Sequence, residues 1–240
     1  MKVWKAFLGV GIAVLIVGIA VLLVGLGLNG WKLDIYRKET FTCTGQNENL
    51  NLSVAAGKAE VIFYDGENVQ IDYPDSVRFG YTVNEEGGSV TVSPKKRFGI
   101  NWGGWWNVPS LTVKIPRGKV MNINLNVSAG TANIANGEYG VFKLDLSAGS
   151  VNIGGISCSS FTADISAGSF SANGVACDKF YLDVSAGSAN LTVSGAKSDY
   201  AIIVDKSAGS CNVSGQQGAV AGKVIDIDVS AGSVNVGFTN

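Results

Sequence analysis

Apolar residues alternate with polar ones through the C-terminal half of this chain, in short runs that restart at a nearly constant interval. Each run ends on Ser-Ala-Gly, whose serines are Ser128, Ser147, Ser166, Ser185, Ser207 and Ser230, at spacings of 19, 19, 19, 22 and 23 residues. Five residues before these serines stand Ile123, Phe142, Phe161, Phe180, Ile202 and Ile225, and three before stand Leu125, Leu144, Ala163, Leu182, Val204 and Ile227. One before stand Val127, Leu146, Ile165, Val184, Lys206 and Val229. Period-two alternation is what a strand with one buried face requires. Lys206 breaks its column, and a bulge or shifted register is expected there.

After the glycine the alternation changes phase, with Ala132, Val151, Phe170, Ala189, Cys211 and Val234 opening a second apolar series. Gly130, Gly149, Gly168, Gly187, Gly209 and Gly232 therefore mark corners, where the chain bends and has no Cβ to obstruct a neighbouring coil. Each unit reads as strand, glycine corner, strand, turn. A unit of about 19 residues cannot enclose a core alone, but stacked units can, in parallel ladders about 4.8 Å apart. The fold class expected is all-β, a parallel β-solenoid of 19–23-residue repeats. A β-sandwich of hairpins would need no constant repeat and would show turn dipeptides at each return.

The segment before residue 120 repeats poorly. Leu50, Leu52, Val54 and Ala55-Ala56-Gly57 look like one degenerate copy; Val69 to Tyr73, Ser89 to Val92 and Leu111 to Ile115 suggest further strands. Residues 33–240 read as one domain, irregular over 33–119 and regular over 120–240, the irregular part serving as a cap.

Residues 1–32 have another pattern. Ala6 to Leu28 is a charge-free run of 23 residues with Trp4 and Trp31 beyond its ends. As a helix it would reach about 34 Å, enough to cross a hydrocarbon core of about 30 Å. The run is long for a signal peptide and lacks an Ala-x-Ala-like cleavage site. A single transmembrane helix is expected, with a short cytoplasmic tail and the domain on the outer face of the cell membrane.

Composition then removes chemistry. There is no histidine, which excludes Ser-His and Cys-His catalysis and the commonest zinc ligand. Cys43, Cys158, Cys177 and Cys211 show no Cys-x-x-Cys spacing. Beyond Leu33, 15 basic residues face 19 acidic ones, a net charge of −4 that gives no reason to expect nucleic acid. No cofactor or metal is implied, and an enzyme is not expected.

Four features remain as candidates. The first is the insertion 95–107, in which Lys95, Lys96, Arg97, Phe98, Trp102, Trp105 and Trp106 combine basic and aromatic side chains in a glycine-rich stretch. Such groups suit sugar rings, a membrane interface, an anionic polymer or a protein partner; the alternative is a lid of buried tryptophans. The second is the column Asn126, Asp145, Asp164, Asp183, Asp205 and Asp228, whose carboxylates invite calcium but lack the nonapeptide of calcium-binding β-rolls. The third is the Asn133, Asn152, Asn190, Asn212 and Asn235 column, read as a hydrogen-bonded ladder. The fourth is Cys158 and Cys177, both eight residues before their serines and thus on adjacent rungs. That spacing falls within the Cα range of a disulfide, so the pair is either bridged or a stack of reduced thiols. The serines themselves lack a base and read as corner residues.

An N-terminal transmembrane segment, degenerate early strands, a tryptophan-bearing insertion and repeated Asp-Val-Ser-Ala-Gly-Ser-Val-Asn-Val units together resemble the putative-adhesin family of bacterial envelope proteins. The resemblance covers nearly the whole chain. It implies a β-solenoid and a non-catalytic adhesion or binding scaffold in contact with wall polymer, lipid surface or a membrane protein. Its second implication is an accessory subunit of an envelope-stress sensing system. A polysaccharide-acting β-helix enzyme ranks last, because no single rung departs from the repeat to supply an acid–base cluster.

Overall fold

The computed structural model describes residues 36–76, 79–95 and 110–239. The Ala6 to Leu28 segment lies outside them; among the described residues no helix is long and apolar enough to cross a membrane. Among the described residues seventeen strands form one continuous hydrogen-bonded sheet wound on itself. The irregular part contains β1 (Arg37–Thr42), β2 (Asn49–Val54), β3 (Gly57–Tyr64), β4 (Gln70–Asp75), β5 (Tyr81–Glu86), β6 (Ser89–Pro94) and β7 (Leu111–Pro116). The regular part begins with β8 (Asn122–Ile134), β9 (Gly137–Glu138), β10 (Val141–Ile153), β11 (Ile156–Ile165), β12 (Ser169–Val184) and β13 (Ser188–Ser194). It ends with β14 (Ala201–Lys206), β15 (Ser210–Cys211), β16 (Val224–Val229) and β17 (Ser233–Thr239).

The repeats stack as parallel rungs in strict register. Phe142 lies beside Ile123 and Phe161, and Phe161 beside Phe180, so like residues pile on like. Every second residue points inward and is buried, as in the β10 series Phe142, Leu144, Leu146, Val151 and Ile153. Aromatic rings run through this core. Phe142 and Phe161 stack at 5.4 Å with 9° between planes, Phe180 follows at 6.1 Å and Tyr200 at a further 6.0 Å.

At each corner the hydrogen bonding continues without a break. Ser185 N–H donates to Ile165 O at 2.9 Å, Ala186 N–H to Ser166 O at 2.8 Å and Ser188 N–H to Gly168 O at 2.9 Å. The glycines are needed mainly for closeness rather than for unusual torsions. A Cβ on Gly187 would lie 2.6 Å from Gly168 O, and one on Gly232 2.6 Å from Gly187 O. Of the six corner glycines only Gly149 has a positive φ, 150°.

The rungs do not stack in the order of the chain. β12 pairs with β16, β16 with β14, β13 with β17 and β17 with β15. The Ser230 unit thus lies between the Ser185 unit and the Ser207 unit, which becomes the end of the stack. This corrects the expectation at Lys206: β14 stays in register with β16 through Lys206↔Val229. The one register shift among the repeats falls instead between Asn173 and Val175. Lys206 is exposed because its rung has a neighbour on one side only. A lysine at a sheet edge also discourages further strands from pairing there.

The opposite end is built differently. β2 and β3 form a rung on β8, with Gly57 opposite Gly130, and β6 and β7 form the next rung outward. Antiparallel strands then extend this rung, β5 beside β6 and β4 beside β7, with β1 beside β4. The β5–β6 hairpin turns on Gly87 and Gly88, both at positive φ (57° and 73°), as a two-residue turn demands.

Candidate functional site

The β6–β7 rung is where the tryptophan-rich segment departs. In the rung beneath, Leu52 and Ala59 are joined by six residues; their partners Val92 and Leu111 are joined by 18. The insertion thus replaces a glycine corner. Lys96, Arg97, Phe98, Trp102, Trp105 and Trp106 lie outside the described residues. Lys95 is described, and its Nζ forms an ion pair with Asp75 at 2.8 Å. One of the three consecutive basic residues is therefore tied to the antiparallel extension rather than free.

Two carboxylates that the sequence reading passed over fasten this end. Asp72, 4 % exposed, accepts from Thr40 Oγ1 at 2.7 Å and pairs with Lys38 and Lys114, each at 3.0 Å. Burial alone would raise its pKa, but Thr40, Lys114 and Lys38 outweigh it and hold the carboxyl at about 2. Glu85 receives the N–H groups of Thr44 and Gly45 and the Asn47 amide, at 3.0, 2.6 and 2.7 Å, which lowers its pKa and clamps the 44–47 loop. Neither role is visible in a periodicity analysis, because the groups that bind each carboxylate lie more than 30 residues away in sequence.

The Asp72 cluster predicts acid sensitivity. Its folded-state pKa lies below the ordinary value of 3.8, so its stabilisation is complete above about pH 4 and is lost as pH falls towards 2. The loss should amount to about 2 kcal/mol. Thermal midpoints of the wild type should drop more steeply between pH 4 and pH 2 than those of Asp72→Asn. Parallel curves would refute the assignment.

The repeat columns become ladders. Asp145, Asp164, Asp183, Asp228 and Asp205 are mutual register partners in that order, a run of five stacked carboxylates. Partial burial, then Asp183 and Asp145, raise the pKa of Asp164. Among the described residues no group of three or more His, Cys, Asp or Glu side chains could hold a metal ion. On the other flank Asn152 donates to Asn133 Oδ1 at 3.2 Å, and Asn212 bridges the main chain of Val236 at 2.8 and 3.0 Å.

Cys158 and Cys177 are direct register partners and both are thiols. The hydrogen bond between them raises the pKa of Cys158, helped by burial, and lowers that of Cys177, whose sulfur also contacts Lys179 O at 3.3 Å. The pair sits beneath Tyr200, whose hydroxyl donates to Cys177 O at 2.9 Å. Cys43 is buried, which lifts its thiol to about 11, and Cys211 packs at the edge of the core.

The chain belongs to the Toastrack DUF4097 family, whose model matches residues 47–240. It has no match among curated proteins. Among solved structures it is similar to a putative cell adhesion protein from Clostridium sporogenes ATCC 15579, at 18% identity and TM-score 0.39, over 85% of this chain and 100% of that one. It is also similar to a putative adhesin from Bacteroides fragilis NCTC 9343, at 10% identity and TM-score 0.46, over 84% and 97%. A third similarity is to a putative lipid binding protein from Parabacteroides distasonis ATCC 8503, at 13% identity and TM-score 0.40, over 83% and 96%.

Proposed function

We propose that this Toastrack-family chain is a membrane-anchored, non-catalytic binding scaffold of the cell envelope. Its segment 95–107 meets an anionic surface. What supports this reading is the register of β6 and β7, the outermost of the parallel rungs, whose joining segment is twelve residues longer than the corner beneath it. An internal rung has a parallel rung on either side; this one has β2 and β3 on one side and the antiparallel strands β4 and β5 on the other. Lys96 and Arg97 would supply attraction, and Trp102, Trp105 and Trp106 would supply area. The anchor part of the proposal rests on the charge-free run Ala6 to Leu28. The repeat supports the word scaffold, since the regular rungs stack like residues on like.

The test compares the full-length chain with a Trp102, Trp105, Trp106→Ala triple variant of equal thermal midpoint. Both are measured for binding to phosphatidylglycerol-rich vesicles and to purified cell-wall polymer. The variant should bind one of these surfaces at least about tenfold more weakly, as loss of aromatic anchors implies. Equal binding by both proteins would remove the segment from the contact, and no binding by the wild type would remove the function.

A further inference from the structure

The exchange of rung order builds a groove near the far end of the stack from the tryptophan-rich segment. After the terminal rung the chain returns along 212–223 to start β16, and it must fold over the outside of the flank. Its last turn, Val220 to Lys223, is held by Ala219 N–H to Ser198 O at 2.8 Å, Val220 N–H to Asp199 O at 3.2 Å and Ala201 N–H to Lys223 O at 3.0 Å. This turn walls one side of a cavity of about 660 Å³ whose other side includes Ser159, Ser160, Asp178, Lys179 and Tyr181 of the neighbouring rungs. The volume lies within the range of small-molecule sites, about 300–1,000 Å³.

We propose that this groove binds one or two neutral sugar rings of a glycan. Tyr181 is 42% exposed, whereas the chain's buried tyrosines Tyr81, Tyr139 and Tyr200 are each at 2% or less. Its column otherwise reads Asn124, Lys143, Thr162, Asp226 and Ile203, so no packing need places an aromatic ring there. With Val220, also 42% exposed, the ring forms an apolar platform for the C–H face of a pyranose.

The polar groups around the platform match the hydroxyls of such a ring. Asp178 accepts hydrogen bonds, Lys179 and Lys223 donate, and none of the three forms an ion pair among the described residues. Lys223 is pre-positioned, with Nζ 5.1 Å from the centre of the Tyr200 ring. Charge settles the ligand class. Two ammonium groups are offset by Asp178 and by Asp226 beside Tyr181, and the carboxylate ladder continues two residues away at Asp183. A polyanion would meet that ladder, and an acyl chain would have to strip water from the lysines and Asp178; an uncharged polyol meets neither cost.

The experiment titrates the full-length chain, held in a detergent without sugar headgroups, with chitohexaose, cellohexaose and polygalacturonate by calorimetry. At least one neutral oligosaccharide should bind. Tyr181→Ala should weaken it about tenfold with the thermal midpoint unchanged, as loss of an aromatic platform implies. Val220→Glu, on the exposed turn, should weaken it as well. Failure of both neutral sugars to bind, undiminished binding by both variants, or tighter binding of polygalacturonate would each overturn the proposal.

Discussion

Replacing Phe161 with alanine should cost the domain about 3–5 kcal/mol, the usual cost of deleting a buried phenylalanine. On a domain of this size the thermal midpoint should fall by roughly 10 °C. Phe161 has no exposed surface, stacks 5.4 Å from Phe142, and lies 5.8 and 6.1 Å from Phe170 and Phe180. It touches rings of the rungs before and after it, so its removal opens a cavity that in-register strands cannot collapse to fill. Urea unfolding followed by circular dichroism gives the comparison. A loss below about 1 kcal/mol would mean that the ring column is not the spine of the core.

Valine at Gly187 should be nearly as damaging, at about 3 kcal/mol, by overpacking rather than by a void. The new Cβ would sit 2.6 Å from Gly168 O and 2.6 Å from Ile165 Cγ2. One of these contacts is main chain already hydrogen-bonded to Ser188 N–H, so it cannot yield without parting two rungs. Gly237→Ala is the control, because its nearest contact is Thr192 Oγ1 at an ordinary 3.7 Å and its φ is not positive. Equal thermal midpoints for Gly187→Val and Gly237→Ala would show that the corners tolerate a side chain.

The columns were legible in the sequence because a strand's period of two and a fixed repeat length leave no freedom about which residues share a face. Phe142, Phe161 and Phe180 could be assigned to one interior ladder, and Gly168 and Gly187 to one corner, from spacing alone. Stacking order was not legible for the opposite reason. Ile202 and Ile225 are interchangeable beside Phe180, as are Asp205 and Asp228 beside Asp183, so the pattern fits either neighbour equally well. The one clue was Lys206 in an apolar column, which reads as a defect in an internal rung and as a suitable residue on an end rung. The antiparallel extension was legible only as alternating strands. Its fastening carboxylate, Asp72, owes its role to Lys38, Thr40 and Lys114, which come from two strands that a single-strand pattern cannot pair with it. The groove at Tyr181 was hidden as well, since it exists only once residues 220–223 fold over a flank formed some 40 residues earlier.

The displaced order of the last two rungs bears on how the molecule is made. Residues 201–211 leave the ribosome before 224–239, yet the latter lie between them and 188–194. Nearest-neighbour growth, the simple route for a repeat protein, therefore stops at the Ser185 unit. From there either the Ser207 unit waits undocked, or it docks on the wrong surface and must be released before the Ser230 unit can enter. The first four regular repeats can form one after another during synthesis, whereas the final pair can only be completed together.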